Sequence, residues 1–134
     1  MHQAKILVVD DSCTIRTLVR RTLIRHDFDV TVACDGKQAV HCAQINPPDL
    51  VILDIQMPEM DGYAACEQIL AIQDRPAHLP IIFLTKESAR HLSVLGKQFG
   101  AYMQKPVCEE TLLATVRALL APHDSAHICQ VAIP

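Results

Sequence analysis

Short apolar runs alternate along this chain with longer segments in which apolar residues recur every three or four positions. The short runs are typical of buried β strands, because strands covered on both faces lose the usual apolar and polar alternation. Five strands are predicted: Ile6 to Val9, Val30 to Cys34, Leu50 to Asp54, Ile81 to Thr85, and a short one from Tyr102 to Gln104. The longer segments between them are predicted to be amphipathic helices.

Capping and breaking residues mark the ends of these helices. The first is predicted from Ser12 to about His26, the second carries small residues and ends at Asn46-Pro47-Pro48, and the third runs from Tyr63 to about Gln73 behind the capping residue Asp61. A fourth helix presents the stripe Leu92, Leu95 and Phe99, and a last one presents Leu112, Val116, Leu119 and Leu120. Strand and helix therefore alternate five times.

Strict alternation of strand and helix, with right-handed crossovers, predicts a parallel sheet covered by helices on both faces. We expect an α/β fold: a doubly wound five-stranded parallel sheet in the order 2-1-3-4-5, arranged as a three-layer sandwich. The length of 134 residues fits one domain. Ligands of such sheets lie beyond the carboxyl ends of the strands, near the first and third.

Charged residues stand at that predicted edge. Asp10 and Asp11 follow the first strand, Asp54 ends the third, and Lys105 follows the fifth. Three unpaired carboxylates at one edge repel by roughly 4 kcal/mol per close pair at a protein-like effective dielectric. The cluster therefore predicts a cation, and carboxylate oxygens favour a hard divalent ion such as Mg²⁺.

Composition narrows the class of protein. Half of the residues are apolar and the formal net charge is −3, which is typical of a soluble globular protein and not of one that coats nucleic acid. The arginines at 16, 20, 21 and 25 are interpreted as a solvated helix face opposite Ile15, Leu18, Val19 and Leu23. The six cysteines lack a Cys-x-x-Cys pair and predict reduced thiols in the cytoplasm. No apolar stretch reaches the ~18 residues of a membrane helix, and no classical export signal is expected.

Four motifs in this order resemble a response-regulator receiver domain of two-component signalling, of the stand-alone chemotaxis-like kind with its flavodoxin-like fold. The motifs are Val8-Val9-Asp10-Asp11-Ser12, the stretch from Asp54 to Gly62, Thr85, and Tyr102-Met103-Gln104-Lys105-Pro106. The resemblance spans residues 4 to about 121. It divides the chain into a receiver domain, 1–121, and a C-terminal tail, 122–134.

The resemblance implies a role for each site residue. Asp54 is the expected phosphoacceptor, and Mg²⁺, for which Mn²⁺ is expected to substitute, is held by Asp10, Asp11, Asp54 and the Gln56 carbonyl. Lys105 and Thr85 are expected to contact the phosphoryl group. Movement of Thr85 then lets Tyr102 rotate inward, and the face of the fourth helix, fifth strand and last helix changes its affinity for a target.

The resemblance also implies partners. A histidine kinase or phosphotransfer protein supplies the phosphoryl group, and a downstream target protein reads it. We expect no DNA-binding domain, no membrane association, a cytoplasmic location, and a monomer or weak homodimer. Taken singly, the residues have plainer interpretations: Asp11 and Asp61 as helix caps, Thr85 as a strand residue, and Tyr102 as a partly exposed aromatic.

The sequence departs from the family pattern in three places. Lys86 stands where a small residue is usual, and with Gln56 and Glu87 it is a candidate for tuning the rate of phosphoaspartate hydrolysis. The approach to Tyr102 is two residues shorter than usual, which predicts a fifth strand curtailed at its start. In the tail, His123, His127 and Cys129 have zinc-like spacing if helical, although Pro122 argues against it.

Other functions remain open. A phosphate sink uses the same site without a downstream target. A Mg²⁺-dependent aspartyl phosphohydrolase usually carries a second acid two residues after its nucleophile, where this chain has Gln56, so no turnover of external substrates is expected. A flavin- or nucleotide-binding module lacks its glycine- or hydroxyl-rich phosphate loop here.

Overall fold

A five-stranded parallel sheet forms the centre of the protein. The computed structural model describes residues 3–57, 62–72, 79–86 and 100–121. The strands are β1 (Lys5–Val9), β2 (Asp29–Ala33), β3 (Leu50–Asp54), β4 (Ile81–Thr85) and β5 (Gly100–Gln104). Their order is β2-β1-β3-β4-β5, and every neighbouring pair is parallel. The predicted fold and strand order are therefore confirmed.

Four helices are described: α1 (Cys13–Arg25), α2 (Gly36–Ile45), α3 (Gly62–Ile72) and a last helix (Glu109–Leu120). Two of them are capped at their first turn, α1 by Ser12 and α2 by Asp35. The Ser12 hydroxyl accepts from the Ile15 amide at 3.4 Å, and an Asp35 carboxylate oxygen accepts from the Gln38 amide at 2.8 Å. These acceptors satisfy amide groups that have no partner inside the helix.

The strands bury side chains on both faces, because successive residues of a strand point in opposite directions. On one face, Leu7, Val51 and Phe83 belong to a core cluster that includes residues of α2 and α3. On the other face, Ile6, Ile52 and Leu84 pack in a cluster with residues of α1 and the last helix. This division explains the uninterrupted apolar runs and produces the three layers.

The expectation of a curtailed fifth strand is wrong. β5 begins at Gly100 and pairs with β4 over its whole length, from Ile81 opposite Gly100 to Thr85 opposite Gln104. Gly and Ala have weak strand propensity, so the local pattern underestimates this strand. Hydrogen bonding to β4 therefore holds Gly100 and Ala101 in the strand, although their own strand propensity is weak.

One residue of the arginine-rich helix α1 is more exposed than the sequence predicts. Val19 and Leu23 are buried as expected, but Leu18 is 44% exposed. A helix turns by about 100° per residue, and burial of Val19, Thr22 and Leu23 places Leu18 at the margin of the buried stripe.

The predicted fourth helix, Asp61 and the tail with its His and Cys residues lie outside the described residues. Among the described helices, none has the length and apolar character needed to cross a membrane.

Candidate functional site

Three aspartates meet at the carboxyl edge of the sheet. Asp10 follows β1, Asp11 is next to it, and Asp54 is the last residue of the adjacent strand β3. One carboxylate oxygen from each lies within 4.8 Å of the others. Asp10 and Asp54 are buried, whereas Asp11 is exposed. The site is thus closed at its base and open to solvent at one carboxylate.

Asp10 is held by contacts to all of its polar groups. Its amide donates to the Ala33 carbonyl at 3.2 Å, and its Oδ1 accepts from the Ser12 amide at 2.8 Å. Its carbonyl accepts from Arg16 Nη1 at 2.7 Å, and Oδ2 lies 2.8 Å from Lys105 Nζ. The position of this carboxylate is therefore set by β2, by α1 and by the loop after β5.

Asp54 is fixed through its own backbone and the start of α3. Its Oδ1 accepts from the Gln56 amide at 3.1 Å. The amide of Ile55, the residue after Asp54, donates to the Leu84 carbonyl at 3.0 Å. The Gly62 amide donates to the Ile55 carbonyl at 3.0 Å. A Cβ at position 62 would lie only 2.5 Å from the Asp54 carbonyl oxygen. Only glycine lets α3 begin this close to the end of β3.

Burial, together with the neighbouring charge of Asp10, raises the pKa of Asp54 from 3.8 to about 6. The Gln56 amide and the Lys105 ammonium act in the opposite direction and lower this pKa, but by less. A carboxylate in this setting is costly to ionise, because burial and a like charge both disfavour the charged form. A bound cation would therefore lower the free-energy cost of ionising Asp54.

Lys105 brings its ammonium group between the two buried carboxylates. Nζ lies 2.8 Å from Asp10 Oδ2 and 3.5 Å from Asp54 Oδ2, and the side chain is 7% exposed. Its amide donates to the Thr85 carbonyl at 2.7 Å, and the Lys105-Pro106 peptide is cis. The ammonium group is therefore nearer to Asp10 than to Asp54.

The two expected switch residues lie on neighbouring strands. Thr85 ends β4 and is 3% exposed, and Tyr102 lies opposite Phe83 in the ladder between β4 and β5. Tyr102 is partly buried and packs against the core cluster on the α2 and α3 face. Thr85 adjoins the acidic edge, because its carbonyl accepts from the Lys105 amide, and Tyr102 precedes Lys105 by three residues.

Two of the three candidate rate-tuning residues lie within the described part of the chain. Gln56 and Lys86 are both exposed. Gln56 comes two residues after Asp54, the last residue of β3, and Lys86 comes directly after Thr85, the last residue of β4. Glu87 lies outside the described residues.

Sequence reasoning missed Arg16 as part of the site. It was grouped with the solvated arginines of α1, yet its guanidinium contacts the backbone of Asp10. Helical periodicity indicates which side chains avoid the core, but it does not indicate that a long side chain in the first turn can reach back to the preceding strand. No signal in the sequence separated Arg16 from Arg20 or Arg21.

The residues present suit a hard divalent cation. The cluster offers only oxygen ligands, as Mg²⁺ requires, and its three carboxylates are close enough to share one ion. Within the described part of the chain, Asp10 Oδ2 is buried and accepts no hydrogen bond of good geometry, although Lys105 Nζ is 2.8 Å away. A buried carboxylate oxygen that lacks a well-aligned hydrogen-bond donor is consistent with a position that a cation stabilises.

Comparisons with known proteins agree on the family. The family model for the response regulator receiver domain matches residues 6–117. The alkaline phosphatase synthesis transcriptional regulatory protein PhoP of Bacillus subtilis is 39% identical over 87% of this chain and 48% of its own length. The chain thus spans about half the length of the curated relatives it matches.

Solved structures agree as well. The chemotaxis response regulator CheY4 of Vibrio cholerae has a TM-score of 0.78 at 36% identity, covering 89% of this chain and 100% of its own. The receiver domain of sensor histidine kinase PA1611 from Pseudomonas aeruginosa PAO1 has a TM-score of 0.77 at 29% identity, covering 90% of this chain and 100% of its own. That structure has a magnesium ion coordinated in the active site cleft.

Proposed function

This chain belongs to the response-regulator receiver domains, and we propose that it is a signalling switch that accepts a phosphoryl group on Asp54. The observation that carries the proposal is the meeting of three aspartates and one lysine at the carboxyl edge of the sheet. Receiver domains are phosphoacceptor signalling modules and not enzymes with external substrates. The exposed Gln56, where a phosphohydrolase usually has its second acid, supports the same conclusion.

In the proposed reaction a carboxylate oxygen of Asp54 attacks the phosphorus of a phosphohistidine on the partner. An O–P bond forms, the N–P bond breaks, and the electron pair leaves with the imidazole. The difficulty is that an anion approaches another anion, so positioning and positive charge dominate the catalysis. The Gln56 amide holds one oxygen of Asp54, and Lys105 supplies positive charge beside the other.

Receiver domains typically bind Mg²⁺ at an acidic pocket, and we assign that role here to Asp10, Asp11, Asp54 and the Gln56 carbonyl. When bound, Mg²⁺, or Mn²⁺ in its place, supplies positive charge against the phosphoryl oxygens. The buried Asp10 and Asp54 then form the base of the site, and the exposed Asp11 forms its solvent side.

We propose that Lys105 and Thr85 detect the modified state. Lys105 already lies between Asp10 and Asp54, so a phosphoryl group on Asp54 offers its ammonium a new anionic partner. Thr85, at the end of β4, is the proposed hydroxyl donor to the same group. Its movement would make room for Tyr102, which is partly buried on the adjacent strand.

The wider proposals follow from the family. A histidine kinase or phosphotransfer protein is the proposed phosphodonor, and a target protein is proposed to dock on the face of the fourth predicted helix, β5 and the last helix. We propose a cytoplasmic monomer or weak homodimer, with residues 1–121 as the receiver domain and 122–134 as a tail.

Phosphorylation by a small donor tests the core of this proposal. The chain is incubated with acetyl phosphate and Mg²⁺, and the position of a labile phosphoryl group is found by mass spectrometry. We expect one adduct on Asp54 and none in Asp54→Asn. The control is Asp29→Asn, which also removes one carboxylate but lies at the first residue of β2, away from the carboxyl edge of the sheet; it is expected to form a normal adduct. An adduct that persists in Asp54→Asn contradicts the assignment.

A second experiment distinguishes a messenger from a phosphate sink. Candidate target proteins are tested for binding with and without beryllofluoride, which mimics the phosphoryl group on an aspartate. A messenger binds more tightly with the mimic, whereas a sink accepts phosphoryl groups from its kinase without any such gain. The messenger is the form that we propose.

We further propose that residues at the rim of the site tune phosphoaspartate lifetime. Lys86 is exposed beside Thr85, and its charge and length differ from the small residue usual at this position. Lys86→Ala is expected to speed dephosphorylation, because water reaches the phosphoryl group more easily. An unchanged rate contradicts this role for Lys86, and Gln56 and Glu87 are tested in the same assay.

A further inference from the structure

Arg16 connects the first turn of α1 to the backbone of the acidic site. Its amide donates to the Ser12 carbonyl at 3.0 Å, as the regular helix requires. Its guanidinium turns back six residues, and Nη1 donates to the Asp10 carbonyl at 2.7 Å. The side chain is only partly exposed, unlike those of Arg20 and Arg21 on the same helix.

The bonded carbonyl belongs to the peptide that joins the two adjacent aspartates. A peptide unit is planar, so fixing the Asp10 carbonyl also fixes the direction of the Asp11 amide and the path of the chain into Asp11. The Asp10 side chain has separate anchors, in the Ser12 amide and Lys105. Asp11 is exposed, and no other hydrogen bond found in the described ranges holds this peptide carbonyl.

We propose that Arg16 is a positioning residue for the metal-binding acid pair. It acts through the peptide between Asp10 and Asp11 and presents both carboxylates toward one cation. This inference rests on the proposed function, because it assumes that the acidic cluster binds Mg²⁺. Groups that orient metal ligands without touching the metal commonly change its affinity by about tenfold or more.

The direction of the change in Mg²⁺ affinity when Arg16 is replaced distinguishes positioning of the carboxylates from simple charge repulsion. Arg16 is a cation beside a cation site, so removal of its charge alone strengthens Mg²⁺ binding. Loss of positioning weakens Mg²⁺ binding, because the carboxylates must then be ordered by the ion itself. The two explanations therefore predict opposite changes in the same dissociation constant.

The experiment measures Mg²⁺ binding to the full 134-residue chain by titration calorimetry. The variants are Arg16→Met, Arg16→Lys and the control Arg20→Met, which loses the same charge from an exposed position of α1. We expect Arg16→Met to bind Mg²⁺ about tenfold more weakly than the wild type, and Arg20→Met to stay within about twofold. Arg16→Lys, with its charge and one donor group kept, is expected to fall between the wild type and Arg16→Met.

A metal-free measurement accompanies the titration. Amide NMR shifts and hydrogen exchange of Asp11 and Ser12 are expected to change in Arg16→Met and not in Arg20→Met. Mg²⁺ binding by Arg16→Met that equals or exceeds that of Arg20→Met overturns the proposal. If Arg16→Met does not fold, Arg16→Lys decides: an affinity equal to that of the wild type counts against a specific guanidinium contact.

The controls keep the two levels of inference apart. A wild-type chain that binds Mg²⁺ and is phosphorylated on Asp54, with an unaffected Arg16→Met, refutes only the role of Arg16. A wild-type chain that binds no Mg²⁺ refutes the proposed function itself. In that case the amide shifts of Asp11 still report whether Arg16 orders the peptide.

Discussion

The ammonium group of Lys105 lies 2.8 Å from Asp10 Oδ2 and is closer to this carboxylate than to Asp54. The lysine therefore neutralises Asp10 first and leaves Asp54 only partly compensated. This is consistent with the pKa of Asp54, which burial and Asp10 raise more than Lys105 and the Gln56 amide lower it. Asp54, the proposed phosphoacceptor, is thus costly to ionise in the folded protein.

We predict that Asp54→Asn stabilises the metal-free protein at pH 7.5. The pKa of Asp54 is raised from 3.8 to about 6, so the folded protein binds more protons than the unfolded chain between these values. This group's contribution to stability is therefore present below pH 3.8 and is lost as the pH rises through about 6. The substitution is expected to add about 2 kcal/mol at pH 7.5.

Urea unfolding at pH 7.5 and pH 4.5 in EDTA measures this change. The gain is expected to shrink at the lower pH, because Asp54 is then protonated in the folded wild type. Saturating Mg²⁺ also reduces the gain, since it stabilises the wild type. A gain that is the same at both pH values shows that another cause is acting.

Lys105→Met is expected to destabilise the protein at neutral pH. The substitution removes the cation from two buried carboxylates, and loss of one partner of a buried ion pair typically costs about 3 kcal/mol or more. Lys86→Met is the control, because Lys86 is exposed and also follows a strand of the sheet. Thermal unfolding at pH 7.5 compares the two variants, and Mg²⁺ is expected to restore more stability in Lys105→Met than in the wild type. Equal effects of the two substitutions contradict the prediction.

Gly62→Ala is expected to destabilise the protein and impair phosphorylation of Asp54. In an ordinary helix this change stabilises by about 1 kcal/mol, because alanine has the higher helix propensity. Here the new Cβ would lie 2.5 Å from the Asp54 carbonyl oxygen and 2.7 Å from the Ile55 Cα, so backbone must move. We expect a net loss of about 2 kcal/mol in urea unfolding. A stabilised variant shows that α3 can shift without cost.

The thiols are expected to differ in reactivity. Burial, with a smaller effect of Glu67, raises the pKa of Cys66 to about 11, whereas hydrogen bonds from Thr111 and Glu110 lower the pKa of the exposed Cys108. The thiolate is the reactive form, so at pH 8 iodoacetamide is expected to modify Cys108 well before Cys66. Peptide mass spectrometry over time measures both rates. Comparable rates indicate that Cys66 is reached by solvent.

Much of the fold and part of the site follow from local sequence. The bounds of β3 and β4 are predicted to the residue, because apolar runs between turn-forming residues specify buried strands. Asp10, Asp11, Asp54 and Lys105 are recognisable because each stands at the end of a strand or within two residues after it, and parallel strands bring their carboxyl ends to one edge. The start of β5 was not predictable, since Gly100 and Ala101 depend on their ladder with β4.

The sequence by itself determined that Asp10, Asp11, Asp54 and Lys105 reach the acidic edge, because the pattern of apolar runs predicts parallel strands whose carboxyl ends meet there. Only the tertiary structure decided how they meet there. It placed Lys105 nearer to Asp10 than to Asp54 and joined Arg16 to the Asp10 carbonyl. These outcomes depend on distances of a few ångströms between side chains from different elements, and periodicity along one chain carries no information about them.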